Sequence, residues 1–266
     1  MTDDNKTIQD FGSEWTLFTE NEGYYASVEM LADYLGPLMS LDEIAGLKVI
    51  DIGSGTGRIV NMLLGAGAAH VYAVEPSAAM DVCRRNTARH ADQVTYLLCK
   101  GDEIPDVDAD FAISLGVLHH IPEPASTVQR VFEVLPPGGR FLIWLYGEEG
   151  NWLYLKVFNP VRRLFARLPD AVLIPFAHVL AVFLRLYRYL CKFLPLPLHR
   201  YMRGVLAQFS HKQLVLTIFD QLNPTFAKYY RRDEAIDLLT TAGFIKVRTY
   251  HRHNYSWTLI GEKPRS

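Results

Sequence analysis

The chain has 266 residues, 49% hydrophobic and 21% charged, so it can bury a full core and is neither a disordered nor a fibrous polymer. A net charge of −2 excludes a uniformly basic or acidic binder, but it conceals an asymmetry. Residues 1–150 carry 9 basic and 23 acidic side chains, whereas 151–212 carry 10 basic residues and one acid, Asp170.

Residues 1–40 read as helices laid over a cleft, with Phe11, Trp15, Phe18, Tyr24 and Tyr25 as apolar contacts; 1–45 would form an N-terminal cover. A first strand is expected over Leu47–Ile52, then a glycine-rich turn, Asp51-Ile52-Gly53-Ser54-Gly55-Thr56-Gly57, and a helix from Arg58 to about Gly65-Ala66-Gly67. The second strand is Val71–Val74, closed by Glu75-Pro76, and Ser77 is a natural N-cap for the next helix. Further strands follow at Val94–Leu98, Phe111–Leu115 and, after Pro136-Pro137-Gly138-Gly139, at Phe141–Tyr146. Near the end, a helix over Asp233–Thr241 stops at Gly243, and strands Ile245–His251 and Ser256–Gly261 form a hairpin. Strands alternating with helices imply a doubly wound α/β fold with a mostly parallel sheet.

The glycine turn selects the cofactor. A dinucleotide fingerprint needs a third glycine three residues after the second, and position 58 is arginine. Asp51 would repel a pyrophosphate but suits a ligand bearing an ammonium and a sulfonium. S-adenosylmethionine has both. Three cysteines (Cys83, Cys99, Cys191) form no CxxC pair and leave an odd count, pointing to a reducing compartment. Met1–Asp10 is polar with three acids and does not read as a signal peptide, so a cytoplasmic protein is expected.

Five runs in the right order resemble the class I S-adenosylmethionine-dependent methyltransferases, in particular a bacterial group whose fourth strand ends in Leu-His-His. They are Val49–Gly57, Val74-Glu75-Pro76, Gly101-Asp102, Ser114–Pro122 with His119-His120, and Leu135–Gly139. The likeness covers about 45–146 well and 231–263 by pattern. It implies a Rossmann-like seven-stranded sheet with a C-terminal β-hairpin and a helical cap inserted after strand 5. The core would be 46–147 with 231–266, and the cap 148–230. The implied cofactor contacts are Asp51, Gly53, Ser54, Gly55, Gly57, Glu75, Pro76, Asp102, Glu103 and Leu115. Glu75 would accept from both ribose hydroxyls and Asp102 from the adenine amino group, with Glu103 an equally placed competitor.

In this fold the C-terminal strand ends open on one face. That rim should gather His119 and His120, Tyr146 and Glu148, and the hairpin turn His251-Arg252-His253-Asn254-Tyr255. If the acceptor is a hydroxyl, a histidine suits the base, with His119 preferred and His120 second. Tyr24, Tyr146, Tyr229, His251, His253 and Tyr255 are the expected substrate contacts. No metal-ligand spacing such as HExxH appears.

The roughly 80 residues between strand 5 and Arg231 must cover the active-site mouth. Helices are expected over 152–168 and 171–194, with Arg162, Arg163 and Arg167 on one face of the first and Arg185, Arg188 and Lys192 on one face of the second. Trp152, Tyr154, Tyr187, Tyr189 and Tyr201 interleave with them, and Ala171–Leu184 is a charge-free run of 14 residues. Basic and aromatic on one side and apolar on the other, this pattern suits a membrane-surface element on an anionic bilayer. A lid packed on its own core or on a second copy stays open as an alternative, and nucleic acid is disfavoured by the apolar content. Asp220, Asn223 and Tyr229 could contact substrate or simply cap a turn. The expected function is O-methylation of a lipid-like or lipid-linked acceptor on the inner face of the membrane. A soluble small molecule or saccharide as acceptor, or a non-catalytic cofactor-binding module, are the alternatives.

Overall fold

The computed structural model describes residues 3–152, 155–156, 170–222 and 226–265. Its centre is a seven-stranded sheet of order β3-β2-β1-β4-β5-β7-β6. The strands are β1 (Lys48–Ile52), β2 (His70–Val74), β3 (Val94–Leu97), β4 (Phe111–Leu115), β5 (Arg140–Tyr146), β6 (Ile245–Arg252) and β7 (Ser256–Glu262). The first five are parallel, and β7 runs antiparallel to β5 from Arg140↔Glu262 to Tyr146↔Ser256. The expected Rossmann-like sheet and C-terminal hairpin are both present.

Alternate residues of each strand feed two cores, as the period of two requires. Val49, Ile113 and Leu142 belong to one, and Ile50, Ala112, Phe141 and Ile143 to the other. β4 and all of β5 after Arg140 are buried, which is why they read as unbroken apolar runs. Helices cover both faces. α1 (Asp3–Leu17), α2 (Val28–Leu35), α3 (Arg58–Gly65) and α4 (Ala79–Asn86) precede β3, and α5 (Pro124–Val134) links β4 to β5. Ser27 caps α2 by accepting from Met30 N–H (3.3 Å), and Ser77 Oγ accepts from Ala79 N–H (3.1 Å) at the start of α4.

The cap comprises α6 (Asp170–Leu190), α7 (His199–Gly204) and α8 (His211–Leu222), and α9 (Arg232–Thr240) returns the chain to the sheet. α6 differs from expectation at its C-terminal end. It ends at Leu190 rather than 194, so Lys192 sits in the following turn and does not share a face with Arg185 and Arg188. Its inward face, which the sequence pattern left open, is the narrow one with small residues. Leu173, Ala177 and Ala181 form the buried stripe against α8, whereas Val179, Val182, Phe183, Leu186 and Tyr189 are more than half exposed. Small residues face inward because two helix backbones approach closely there. Arg188 turns inward as well, donating from Nη1 to Leu206 O (2.6 Å) and Phe209 O (3.3 Å). Among the described residues, Val172–Leu190 is the one helix long and apolar enough to cross a membrane by length and composition, and it contains Pro175. Tyr154, Arg162, Arg163, Arg167, Asn223 and, but for residues 152, 155 and 156, the helix expected over 152–168 lie outside the described residues, as does the side chain of Asp220.

The hairpin turns through three residues, His253–Tyr255, of which His253 and Asn254 both have positive φ (49° and 62°).

Candidate functional site

A cavity of about 420 Å³ lies at the C-terminal ends of β1, β2 and β4, roofed by Ile8, Phe11 and Trp15 of α1. Its floor is the glycine loop. Gly53 has φ +73°, and a Cβ there would stand 2.4 Å from Val117 Cγ2, so no other residue fits without displacing the β4 end. Gly55 (φ +49°) faces Trp15, whose Nε1 is 3.4 Å from where its Cβ would be. Gly57 serves a different purpose, since its missing Cβ lets the loop approach Cys83 and Thr87 of α4 and its neighbour.

The loop is pinned by backbone and carboxylate. Gly53 N–H and Ser54 N–H donate to Val74 O (2.8 and 3.0 Å). Glu75 lies 6% exposed in the cavity wall. Its Oε2 accepts from Gly55 N–H and its Oε1 from Ser77 N–H, each at 3.0 Å. A carboxylate offers about four lone-pair sites, so Glu75 keeps capacity for a diol after holding the loop. Asp51, 1% exposed, sits behind the same loop with Oδ2 lacking any hydrogen-bond partner. Burial pushes its pKa up to about 7, against the opposing hydrogen bond from Ser54 and the positive charge of Arg58. Ser54, Pro76, Asp102 and Leu115 line the cavity, and so does Arg58, which stacks 4.1 Å over the Tyr25 ring. Glu103 does not line it; its Oε2 accepts from Lys100 N–H (3.3 Å), leaving Asp102 as the acid that faces the site.

The two histidines part company after β4, in a single 3₁₀ turn, Leu118–His120. His120 lines the cavity, edge-on to Phe11 at 4.7 Å. Its Nδ1 lies 2.9 Å from Phe226 O. A carbonyl only accepts, so Nδ1 carries the proton and Nε2 is the basic nitrogen of the neutral ring. His119 is fully buried, absent from the lining, and neither ring nitrogen has a partner. It lies against Tyr146 at 3.9 Å, and burial, together with the nearby His120, drives its pKa well below the usual histidine range.

A second cavity of about 560 Å³ lies between the sheet end and the cap, lined by Tyr146, Tyr229 and Tyr255 from the core side. These are three of the six expected substrate contacts. The other three are engaged elsewhere. Tyr24 packs on Phe209 (6.4 Å), and His251 stacks on Trp257 (4.2 Å). His253 Nε2 donates to Asp33 Oδ1 at 2.8 Å. The hairpin turn is therefore tied to α2 rather than open at the rim. Arg252, 1% exposed, donates through Nε to Asp33 Oδ2 (2.9 Å) and lies 4.4 Å over the Tyr34 ring. Burial raises the Asp33 carboxyl, but the His253 hydrogen bond and the Arg252 charge outweigh it and hold it below the usual range.

Sequence spacing did not single out Arg58, the Phe226 carbonyl or Asn151. Asn151 Nδ2 donates to Gly147 O (2.7 Å) and Tyr255 O (2.6 Å), fixing the exit from β5 to the hairpin. An asparagine after Gly150 is a turn signal, and nothing local distinguishes this one.

Residues 50–143 match a family model described as a methyltransferase domain. A tRNA U34 carboxymethyltransferase of Chromohalobacter salexigens is 32% identical over 161 residues, covering 58% of this chain and 45% of that protein. A ubiquinone/menaquinone biosynthesis C-methyltransferase of Roseobacter denitrificans is 27% identical, covering 60% and 73%. The chain thus spans less than half the length of the first relative and about three quarters of the second. A Burkholderia thailandensis 1,6-didemethyltoxoflavin-N1-methyltransferase, solved with S-adenosylhomocysteine, shares the fold with a TM-score of 0.54 at 16% identity, over 97% and 87% of the two chains.

Proposed function

We propose that the chain is a class I S-adenosylmethionine-dependent methyltransferase that methylates an oxygen of a lipid-like or lipid-linked acceptor at the cytoplasmic face of a membrane, a reading supported by the methyltransferase-domain match over residues 50–143. The observation that carries this reading is the cavity lined by the glycine loop, Glu75 and His120, with Asp51 buried behind the loop.

The residues present fit the cofactor. Asp51, buried behind the glycine loop rather than in the cavity lining, has an Oδ2 without a hydrogen-bond partner, an acceptor that an ammonium group bound against the loop would satisfy. Glu75 has lone pairs left for ribose hydroxyls, and Asp102 faces the cavity for the adenine amino group. When bound, S-adenosylmethionine supplies an activated methyl group whose leaving group is a neutral thioether.

The protein then has three tasks. It aligns the acceptor oxygen with that methyl group, which is worth roughly 7–11 kcal/mol. It takes the hydroxyl proton, and the lining position of His120 makes its Nε2 the base, with the proton on Nδ1 fixed by Phe226 O. It excludes water through the α1 roof. His119 takes a supporting role in this scheme. Uncharged and packed between His120 and Tyr146, it holds both rings in place.

The membrane part of the reading is supported by the outward apolar face of α6, carried on a basic segment. The test is transfer of labelled methyl from S-adenosylmethionine into a bacterial lipid extract. Label in the organic phase, lost in His120→Ala while S-adenosylhomocysteine affinity persists, is expected. Label confined to water-soluble products or tRNA would contradict it.

A further inference from the structure

The chamber beneath the cap has no assigned occupant, and its walls are divided by chemistry. Of its lining residues among those described, none carries a charge. The cap supplies hydrocarbon: Leu180, Leu184, Met202, Leu206 and Ile218. The cap hydroxyls of Tyr187 and Thr217 are spent locally, donating to Pro197 O and Gln213 O at 2.8 Å each. Apart from the Tyr201 hydroxyl of α7, which is hydrogen-bonded to Tyr255, the polar groups come from the sheet end, where Tyr146 and Tyr229 lie 5.3 Å apart and Asn151 holds the Tyr255 backbone. Burial pushes the Tyr255 hydroxyl up to about 12, so it stays protonated.

Two borders give the chamber a direction. At the inner end Tyr146 touches both His119 (3.9 Å) and His120 (5.6 Å), so the phenol separates the chamber from the cofactor cavity. At the outer end Phe183, Leu186 and Leu190 line the chamber while remaining 63%, 57% and 40% exposed. That mouth is continuous with exposed Val179 and Val182 on the same helix.

We propose that this chamber is a hydrocarbon-tail site: it takes the alkyl or prenyl tail of an uncharged, hydroxyl-bearing amphiphile, which enters from the outer face of α6 and directs its head past Tyr146 toward His120. A volume of about 560 Å³ falls within the roughly 300–1,000 Å³ of sites that engulf a drug-sized ligand. An anionic head is disfavoured inside, because among the described residues no cation lines the chamber to replace its water. The head's direction rests on the methyltransferase reading, whereas the tail site stands on its own walls.

The test is a series of 4-alkylphenols, propyl to decyl, titrated below their micelle concentrations into protein saturated with S-adenosylhomocysteine, and again without it. Each methylene buried should tighten binding about fourfold until the chamber is full. Leu184→Trp, which fills the inner wall, should bring decylphenol down to the affinity of propylphenol. Phe183→Asp, at an exposed position the fold tolerates, should weaken decylphenol about tenfold by charging the mouth. Val182→Asp, on the outer face but not in the lining, should leave the series unchanged.

A flat series in the native protein would overturn the proposal, as would an unaltered slope in Leu184→Trp with Phe183→Asp also silent. A slope abolished by Val182→Asp would mean adsorption to the surface and would overturn it too. Chain-length dependence without S-adenosylhomocysteine binding keeps the tail site and defeats the methyltransferase reading; the reverse pattern does the opposite.

Discussion

In β4 and β5 the apolar side chains all lie inside, whereas along α6 the inward stripe is Leu173, Ala177 and Ala181 and the larger residues point outward. Burying one large apolar side chain is worth about 1.5–3 kcal/mol, so the sheet collects that gain at nearly every position and α6 forgoes it at Val182, Phe183, Leu186 and Tyr189. The same contrast holds for charge. The buried Arg252 is paired with the partly buried Asp33, while Arg185 and Lys192 of the cap are exposed. The sheet thus buries its large apolar side chains, while α6 leaves several of its own exposed on the outer surface.

The comparison can be broken at either end. The largest effect should be His120→Ala, which lowers turnover by about 10²–10⁴ through loss of the base, with product affinity retained. Equal loss of turnover and affinity in that variant would return His120 to a packing role. Asp33→Ala comes next. It strands Arg252 in the core and should cost about 3–5 kcal/mol in urea unfolding, and a loss under about 1 kcal/mol would show the pair to be dispensable. Val182→Asp should change stability by no more than about 0.5 kcal/mol, since the side chain is 60% exposed. The same variant should weaken co-sedimentation with anionic vesicles; unchanged sedimentation would remove the outer face of α6 from membrane docking.

A further effect is a pH dependence. Burial raises the Asp51 pKa to about 7, so the protonated form is favoured in the free fold. That contribution to stability is complete below about pH 4 and is lost as pH rises through about 7. A cofactor ammonium favours the ionised form, so affinity should rise by up to about tenfold per unit as pH approaches 7 and fall again near 8, where an α-amino group titrates. Asp51→Asn should flatten the acid limb, and an unchanged limb would assign it to another group.

The sheet was legible in the sequence because its strands are short apolar runs between turn residues, and the glycine loop because φ, sterics and spacing coincide at Gly53 and Gly55. Strand ends moved by a residue or so, as with Arg140, which joins β5 through its pairing with Glu262. The cap was less legible. Periodicity shows that α6 has two faces but not which one meets α8, and the answer turned on Ala177 and Ala181 allowing close approach. The hairpin turn read as solvent-facing because it is polar, yet Asp33, 219 positions away from Arg252, draws it inward. His119 and His120 are neighbours in sequence, and only the local 3₁₀ turn decides which one reaches the cavity.

Calorimetric titration with S-adenosylhomocysteine near pH 7.5 tests the central claim most directly. Saturable one-site binding, lost in Gly55→Leu where φ is +49° and Trp15 stands over the missing Cβ, is the predicted result. No binding by the native protein, alongside saturable uptake of a nicotinamide or flavin nucleotide, would contradict it.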